Sequence, residues 1–405
     1  MVRVHRTTYC RHVTSKTPAR APLAAVVVLL SLLAACGGES SEPSSAPAPE
    51  AAPSDHPHPS EAPVDDTALP LRKGERFVTL TAANPYTPEP PNGGTDEYRC
   101  VIVDPKLTSD QFLTGVQFQP DNTELSHHTI TFVVPPQGAA EVRALDAESP
   151  GEGWTCFANL DQAIWADTWT PGGRETLFDR DLGYPLATGS LLVMQVHYNL
   201  LATDGEPPGS DQSSVRLRVT DGTDQTIALN TLPLIAPIEL PCTPDESGPL
   251  CDREVAVADV HERFGAESVQ MHSQLQWVCG DTEPGNTQSC DLQLPISATI
   301  YASRGHMHLL GRSISVELNP GTKQARKLLD VPVFDFDDQA LKVFDAPVKL
   351  KAGDTLRVTC THDASLRSKL PQLEDLPPRY VVWGEGTADE MCLGMLTVGG
   401  ISSAG

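Results

Sequence analysis

Two histidines separated by a single residue, His306 and His308, lie in the stretch 303–311. Residues 296–318 are rich in β-branched and apolar types and are broken by glycines, a pattern that predicts two strands meeting at a bend. Residues two apart on a strand point to the same face, so the two imidazoles would project side by side while Met307 points away. Such a pair can hold a metal ion, although it is also compatible with an ordinary polar face.

A third ligand for this pair is available near the end of the chain, at Met391. Methionine usually fills gaps in a core, but a disulfide at the neighbouring Cys392 would fix the backbone beside the thioether. Two imidazoles with a soft thioether favour Cu(I) over Zn(II). We therefore expect His306, His308 and Met391 to hold one copper ion.

A second cluster of histidines is expected in the first half of the chain. His127 and His128 begin one apolar run, and His197 lies within another, 191–200. Three imidazoles from two neighbouring strands suit copper or zinc, whereas a histidine inside an apolar strand is otherwise more often a satisfied core residue. Adjacent residues of an ideal strand face opposite ways. His127 and His128 can therefore share one ion only at a strand end or bend, and we expect one of them to bind through Nδ1.

The scaffold for these clusters is predicted to be all-β. The chain has 36 prolines and 30 glycines, and long helical periodicities are missing. We expect two antiparallel β-sandwich, jelly-roll-like domains in tandem, at residues 73–235 and 236–405, with the proline-rich passage 233–249 as their connection. The predicted strands are 98–103, 129–134, 191–200 and 214–219 in the first domain, and 270–279, two within 294–318, 343–350, 355–361 and 380–383 in the second.

Residues 1–36 have the features of a lipoprotein signal peptide. A basic start is followed by an apolar stretch at 23–33, too short to span a bilayer comfortably, and by Leu-Ala-Ala-Cys. Cys36 would be the lipidated N-terminus, with a plain signal peptide as the alternative. Residues 37–72, rich in proline, serine and alanine, predict a disordered tether. We expect an exported protein, periplasmic or at the cell surface, that meets the membrane through its lipid anchor only.

The charge of the chain argues against nucleic acid as a partner. The formal net charge is −24, and the leader carries five of the basic residues and no acidic one. A mature chain this acidic repels phosphate backbones.

Eight cysteines follow the leader. An even number in an exported chain without a Cys-x-x-Cys motif predicts disulfides rather than a zinc or redox site. Spacing alone leaves the connectivity open, although short loops favour Cys242–Cys251 and Cys279–Cys290 as local pairs. The eight are Cys100, Cys156, Cys242, Cys251, Cys279, Cys290, Cys360 and Cys392.

Four motifs, in this order, resemble those of the copper type II, ascorbate-dependent monooxygenases, a family that includes the peptidylglycine α-hydroxylating and dopamine β-monooxygenases. They are His-His at 127–128, Gln-x-His-Tyr-Asn at 195–199, His-x-His-Leu-x-Gly at 306–311 and Glu-Met-Cys at 390–392. The resemblance covers roughly residues 77–396. It implies two antiparallel sandwich domains, each holding one copper ion across a solvent-filled cleft.

The resemblance also implies a division of labour between two copper ions. His127, His128 and His197 would hold an electron-storing copper, and His306, His308 and Met391 the copper that binds O2 and hydroxylates. Each turnover takes two electrons from ascorbate or another one-electron reductant and inserts one oxygen atom into a C–H bond of a small-molecule substrate.

Sequence position and the family resemblance also suggest roles for residues around the ligands and for the cysteines. Gln195 and Arg304 each precede a ligand by two residues and would orient ligands or meet a substrate anion, with an exposed surface charge as the alternative for Arg304. The family implies the disulfides Cys100–Cys156 and Cys360–Cys392. Cys290 then remains for Cys279.

The expected function is an exported dicopper monooxygenase. A non-enzymatic exported copper-binding or delivery protein would use the same ligands without a substrate pocket. A β-sandwich binding module would need no metal.

Overall fold

The computed structural model describes residues 68–90, 95–156, 160, 163–179, 181–200, 203, 209–336 and 338–403. The expected signal peptide, the lipidation site at Cys36 and nearly all of the expected tether lie outside the described residues. The described part is mostly β, with several antiparallel sheets.

Short strands follow one another through the first half of the chain. They are β1 (Arg76–Thr81), β2 (Asp96–Val103), β3 (Gln111–Gln119), β4 (Ser126–Val134), β5 (Trp154–Thr155), β6 (Ile164–Trp169), β7 (Thr176–Leu177), β8 (Leu182–Leu186), β9 (Leu191–Asn199) and β10 (Ser214–Thr220). One helix, α1 (Ala139–Glu148), interrupts them.

The second half adds ten strands and three α-helices. The strands are β11 (Ile227–Ile235), β12 (Glu239–Leu240), β13 (Thr287–Gln293), β14 (Ile296–His306), β15 (Gly311–Leu318), β16 (Arg326–Val331), β17 (Lys342–Leu350), β18 (Thr355–His362), β19 (Val381–Val382) and β20 (Leu393–Ser403). The helices are α2 (Arg253–Phe264), α3 (Ala266–Cys279) and α4 (Pro371–Glu374), with short 3₁₀ turns at Pro249–Cys251 and Ala364–Ser368.

The strands form four sheets. The largest has nine strands in the order β1-β10-β3-β8-β11-β20-β14-β17, with β7 beside β3. A five-stranded sheet has the order β5-β2-β9-β4-β6, a four-stranded sheet the order β13-β18-β15-β16, and β12 pairs with β19. The pairings are antiparallel except for a short parallel contact between β8 and β11. His127, His128 and His197 lie on the five-stranded sheet, and the His-x-His motif begins on β14 of the nine-stranded sheet.

Apolar side chains of the strands pack into two large cores. One is built from buried residues between Ala82 and Leu229, and the other from buried residues between Leu234 and Val398. Alternation along the strands produces these cores, as in β18, where every second residue is buried. This alternation is the period-two pattern expected of a strand with one buried face.

Most predicted strands are present, including the two strands of residues 296–318, which are separated by a turn between His306 and Gly311. The predicted strand at 270–279 is wrong, because these residues belong to helix α3. Met271 and Leu275, one helical turn apart, pack against the core of the second half, and glutamine, methionine and leucine are good helix formers. Gly265 and Gly280, both at positive φ, bound the helix.

The passage 233–249 begins inside a strand. Pro233 belongs to β11 and lies opposite Met395 of β20. The strand predicted at 380–383 is reduced to the two residues of β19, which pair with β12.

Four disulfides are formed, and they are the four expected pairs: Cys100–Cys156, Cys242–Cys251, Cys279–Cys290 and Cys360–Cys392. Four disulfides indicate an oxidising, extracytoplasmic location. Within the described residues, no helix has both the length and the apolar character needed to cross a membrane.

Candidate metal centre

An irregularity in β4 brings two adjacent histidines to one place. His128 lies opposite His197 across the β4–β9 pair, and the register shifts between Ser126 and His128, so His127 is the additional residue. A shift of this kind changes the direction in which a side chain points. It supplies the bend that two neighbouring residues need in order to face one ion.

Three ring nitrogens converge at this point. Nδ1 of His197 lies 3.3 Å from Nδ1 of His127 and 3.2 Å from Nδ1 of His128. The ligand atoms of the three residues lie within 4.8 Å of one another. His128 and His197 are buried, and His127 is partly buried. We call these three residues the histidine triad.

The protonation of His197 is set by Asp96 on β2. Asp96 Oδ1 accepts the Nε2–H of His197 at 2.9 Å, so Nδ1 of His197 carries a lone pair toward the other two rings. Burial alone would raise the pKa of Asp96, but the hydrogen bond and charge from His197 and the bonds from Thr387 and Asn199 lower it. Unprotonated nitrogens that face one another in this way repel unless a proton or a metal ion lies between them. The triad therefore fits a metal ion that prefers imidazole ligands, such as copper or zinc.

A second group consists of His306 at the end of β14 and His308 in the turn that follows. Their ring centroids are 5.3 Å apart, and both side chains are buried. Nδ1 of His306 donates to Oε1 of Gln339 at 2.7 Å, and the amide of Gln339 donates to the carbonyl of Phe336 at 2.8 Å. This chain of bonds fixes the His306 ring and leaves Nε2 as the atom that can bind a metal.

His308 is held in the same tautomer by backbone atoms. Its Nδ1 donates to the carbonyl of Asp389 at 3.2 Å, and its Nε2 is buried without a hydrogen-bond partner. A buried nitrogen with a free lone pair is costly unless it binds something. The second group therefore also fits a metal ion.

Glu390 holds the turn that carries His308. Its carboxylate accepts the backbone N–H groups of His308 at 2.9 Å, Leu310 at 2.6 Å and Met391 at 3.2 Å. Glu390 is fully buried, so these charge-assisted bonds are not weakened by water. These bonds connect the turn after β14 to the segment that ends at Met391. The side chain of Met391 is also buried.

The two groups of histidines are in contact with each other. The ring centroids of His128 and His306 are 5.4 Å apart, about the same as the separation within either group. Phe336, whose carbonyl accepts from Gln339, stacks on the ring of His127 at 4.9 Å. A cleft between these rings, which the family resemblance implies, is therefore not the arrangement found here.

Arg304 is buried, so it is not an exposed surface charge. Its guanidinium donates to the carbonyl of Thr168 at 2.8 Å and lies 3.3 Å from Oδ1 of Asp167. Burial raises the pKa of Asp167, and the charge of Arg304 opposes that rise. Arg304 also lines a cavity of about 380 Å³, together with Gln339, Trp169 and other residues.

Gln195 lies on the same strand as His197 and points toward the disulfide of the first half. Its amide nitrogen is 3.6 Å from Sγ of Cys156, and its Oε1 is buried without a hydrogen-bond partner.

The remaining histidines of the described residues lie outside both groups. His261 and His272 on α2 and α3 share a hydrogen bond of 2.9 Å, and His272 also bonds the carbonyl of Trp383. His362 is fully buried, with Nε2 3.4 Å from Oε2 of Glu390.

Burial keeps the imidazoles of four residues neutral, namely His127, His128, His197 and His306. It is the largest cause that lowers the pKa of His306 to about 3, followed by the charge of His308. Burial likewise holds the pKa of His127 and of His128 well below its ordinary value, with the charge of His197 next in size. Neutral imidazoles are the form that binds metal.

Without bound metal, the protein should lose stability as the pH falls below about 6.5. Unfolded His306 takes up a proton near its ordinary pKa of 6.5, but folded His306 does so only near about 3. Between these values the unfolded state binds more protons, so stability is complete above pH 6.5, falls with decreasing pH and levels off below about 3. One such residue changes the free energy of unfolding by about 1.4 kcal/mol per pH unit within this range.

The measurement for this prediction is the urea midpoint of metal-free protein at about pH 7.5 and about pH 5. His306→Gln should show a smaller difference between the two midpoints. An equal or higher midpoint at the acid pH would contradict the prediction.

Several residues of the site were not singled out from sequence. Asp96, Gln339 and Thr387 are polar residues without a distinguishing pattern. Asp96 and Gln339 bond histidines from other parts of the chain, and Thr387 bonds Asp96. Glu390 did carry a signal, since it begins the Glu-Met-Cys motif, but its role depends on three backbone amides that the sequence does not bring together.

Residues 280–397 match the copper type II ascorbate-dependent monooxygenase family, C-terminal domain. The matched stretch contains the second group of histidines and Met391, and it does not include the histidine triad. None of the curated proteins is similar enough to the chain to count as a match.

Among solved structures, the chain is similar to the major capsid protein P2 of bacteriophage PM2, with 11% identity, coverage of 81% of this chain and 98% of that chain, and a TM-score of 0.32. An allantoicase shows 12% identity, coverage of 77% and 90%, and a TM-score of 0.18. The allantoicase of Saccharomyces cerevisiae shows 9% identity, coverage of 76% and 80%, and a TM-score of 0.17. These TM-scores are too low to carry an argument about fold or function.

Proposed function

We propose that this chain is an exported dicopper monooxygenase that hydroxylates a C–H bond of a small-molecule substrate with O2 and two electrons from ascorbate or another one-electron reductant. The observation that carries the proposal is the convergence of three imidazole Nδ1 atoms in a chain whose residues 280–397 match a copper monooxygenase domain. The donor set agrees with copper, because imidazole and thioether are ligands that copper accepts.

The histidine triad would hold the electron-storing copper. Its three ligands come from two paired strands, and Asp96 orients one of them, so the site is rigid. All three ligands are imidazoles, which serve both oxidation states of copper. A rigid site with one kind of ligand suits electron storage because little has to move when the charge of the ion changes.

His306, His308 and Met391 would hold the copper that binds oxygen. In the β14–β20 pair, His306 lies opposite Leu393. The ladder ends at this pair, so His308 follows the end of β14 by two residues and Met391 precedes the start of β20 by two residues. Two anchors support this placement, namely the bond from the amide of Met391 to Glu390 and the disulfide of Cys392 with Cys360.

When bound, copper would supply one-electron redox chemistry and the activation of O2. Overall, the substrate C–H bond, O2, two electrons and two protons yield a C–OH group and water. The chain orients the ligands through Asp96, Gln339 and the carbonyl of Asp389, and burial keeps bulk water away from His308. The cavity beside Gln339 is the proposed place for the substrate, since Gln339 both lines it and bonds His306.

The proposal includes the expected architecture and location. Two separate cores support two antiparallel sandwich domains at about residues 73–235 and 236–405. The four disulfides support export. Anchoring through a lipid on Cys36 and the absence of a nucleic-acid partner are parts of the same proposal. Gln195 and Arg304 are proposed to support the ligands and the cavity wall.

The test is turnover by copper-loaded full-length protein with ascorbate and a panel of small amines and hydrophobic compounds under ¹⁸O2. We expect two copper ions per chain and a hydroxylated product that contains one labelled oxygen atom. Two bound copper ions with no product, and with transfer of copper to a metal-free acceptor protein, would instead support a copper-delivery function. Preference for zinc with less than one copper ion per chain would contradict both.

A further inference from the structure

The segment 385–391 contacts both groups of histidines. At the triad, Thr387 Oγ1 donates to Oδ1 of Asp96 at 2.6 Å, and Nδ2 of Asn199 donates to the same hydroxyl at 2.9 Å. Asp96 is the residue that orients His197. The hydroxyl of Thr387, in the second half of the chain, thus bonds the carboxylate that orients His197 in the first half.

A second contact joins the same segment to His197. The ring of Tyr98 stacks on that of His197, with centroids 4.1 Å apart and planes at 7°. The hydroxyl of Tyr98 donates to the carbonyl of Glu385 at 2.5 Å. The segment therefore contacts both the acid and the aromatic ring that hold His197 in place.

The other end of the segment holds the second group. The carbonyl of Asp389 accepts from the His308 ring, and the Glu390 carboxylate accepts from the backbone of His308. Thr387 and Asp389 are only two residues apart in the chain. The supports of His197 and of His308 are thus separated by one short stretch of backbone.

This stretch is fixed from outside. The Asp389 carboxylate forms a bidentate salt bridge with the guanidinium of Arg263 on α2, at 2.8 and 2.7 Å. It also accepts the backbone N–H of Gly386 at 3.1 Å. Thr387 is 5% exposed and Asp389 is 1% exposed. A buried segment held at several points moves as a unit, so a displacement at one end reaches the other.

We propose that segment 385–391 couples the two groups of histidines, with Thr387 as the positioning residue that joins them. This inference rests on the proposed function, because it requires a copper ion at each group. Loss of the ion from the triad frees His197 and Asp96, shifts Thr387, and changes the position of the Asp389 carbonyl that orients His308. Such a coupling is reciprocal, so each ion alters the affinity of the other site.

The test is a double-mutant cycle on the full-length protein loaded with Cu(I), read by carbon monoxide binding at the second group. The four proteins are the wild type, His197→Ala, Thr387→Val and the double variant. The carbon monoxide affinity and the infrared stretching band report on the second group without any turnover. Thr387→Val keeps the size of the side chain and removes the hydroxyl. Thr387→Ser keeps the hydroxyl, and Thr322→Val changes an exposed threonine far from the site.

We expect His197→Ala to change the carbon monoxide affinity about fivefold or more when Thr387 is present, together with a shift of the band, and by less than about twofold in the Thr387→Val background. Thr387→Ser and Thr322→Val should behave as the wild type. Equal effects in both backgrounds, or no effect in either, would overturn the inference and leave the proposed function intact. A wild type that binds fewer than two copper ions would overturn the proposed function, and this inference with it.

Discussion

Replacing Met391 by leucine should abolish hydroxylation and leave one copper ion bound at the histidine triad. Leucine keeps the volume that Met391 occupies in the core, so folding should be preserved. It removes the soft thioether that favours reduced copper at the second group. Loss of residues that merely orient ligands commonly costs 10- to 100-fold, so loss of a ligand should reduce turnover by at least about 100-fold.

The measurements for Met391→Leu are product formation, copper content and the melting temperature. Met395→Leu is the matched control, since Met395 is buried in the same core, on strand β20, which begins two residues after Met391. It should retain turnover and both copper ions. If Met391→Leu keeps wild-type turnover, the assignment of Met391 to the oxygen-binding copper is wrong.

Replacing His197 by alanine should remove one copper ion and most steady-state turnover while carbon monoxide still binds at the second group. His197 lies between the other two ligands, with its Nδ1 close to both, and it is the member held by Asp96. Two remaining imidazoles without this central ligand should hold copper weakly. The second group keeps all its own ligands, so its capacity for carbon monoxide should persist with an altered affinity.

Copper content and the amount of bound carbon monoxide test this expectation. His261→Ala is a suitable control, because His261 bonds another histidine outside both groups. It should leave both copper ions in place. Loss of both ions in His197→Ala, or retention of both, would show that the triad is not an independent copper site.

Local pattern was sufficient to predict much of the scaffold. Strands β9 and β18 have apolar or alternating residues and lie where the sequence predicts them. Helix α3 was missed because its apolar residues were attributed to a strand, although Met271 and Leu275 have helical spacing. Period alone does not separate these cases in a short apolar segment.

Prediction of the site was limited by contacts between remote residues. The pattern His127-His128 indicated ligands, and the need for a bend between them followed from strand geometry. The contact of Thr387 with Asp96 joins residues 291 positions apart, and it depends on how the sheets pack. The ion pair of Arg304 with Asp167 likewise joins the two halves of the chain, and no local sequence pattern predicts it.

The pairing of β11 with β20 limits how the two halves of the protein can move. Seven residue pairs, from Leu229 opposite Gly399 to Ile235 opposite Leu393, link β11, which ends the proposed first domain at residue 235, to β20, which follows Cys392. Swinging the halves apart like a hinge would break this ladder, and each net hydrogen bond lost costs about 0.5–1.5 kcal/mol. In the proposed monooxygenase, substrate and product would therefore exchange through rearrangement of side chains and turns at the rim, while the sheet that spans both halves stays intact.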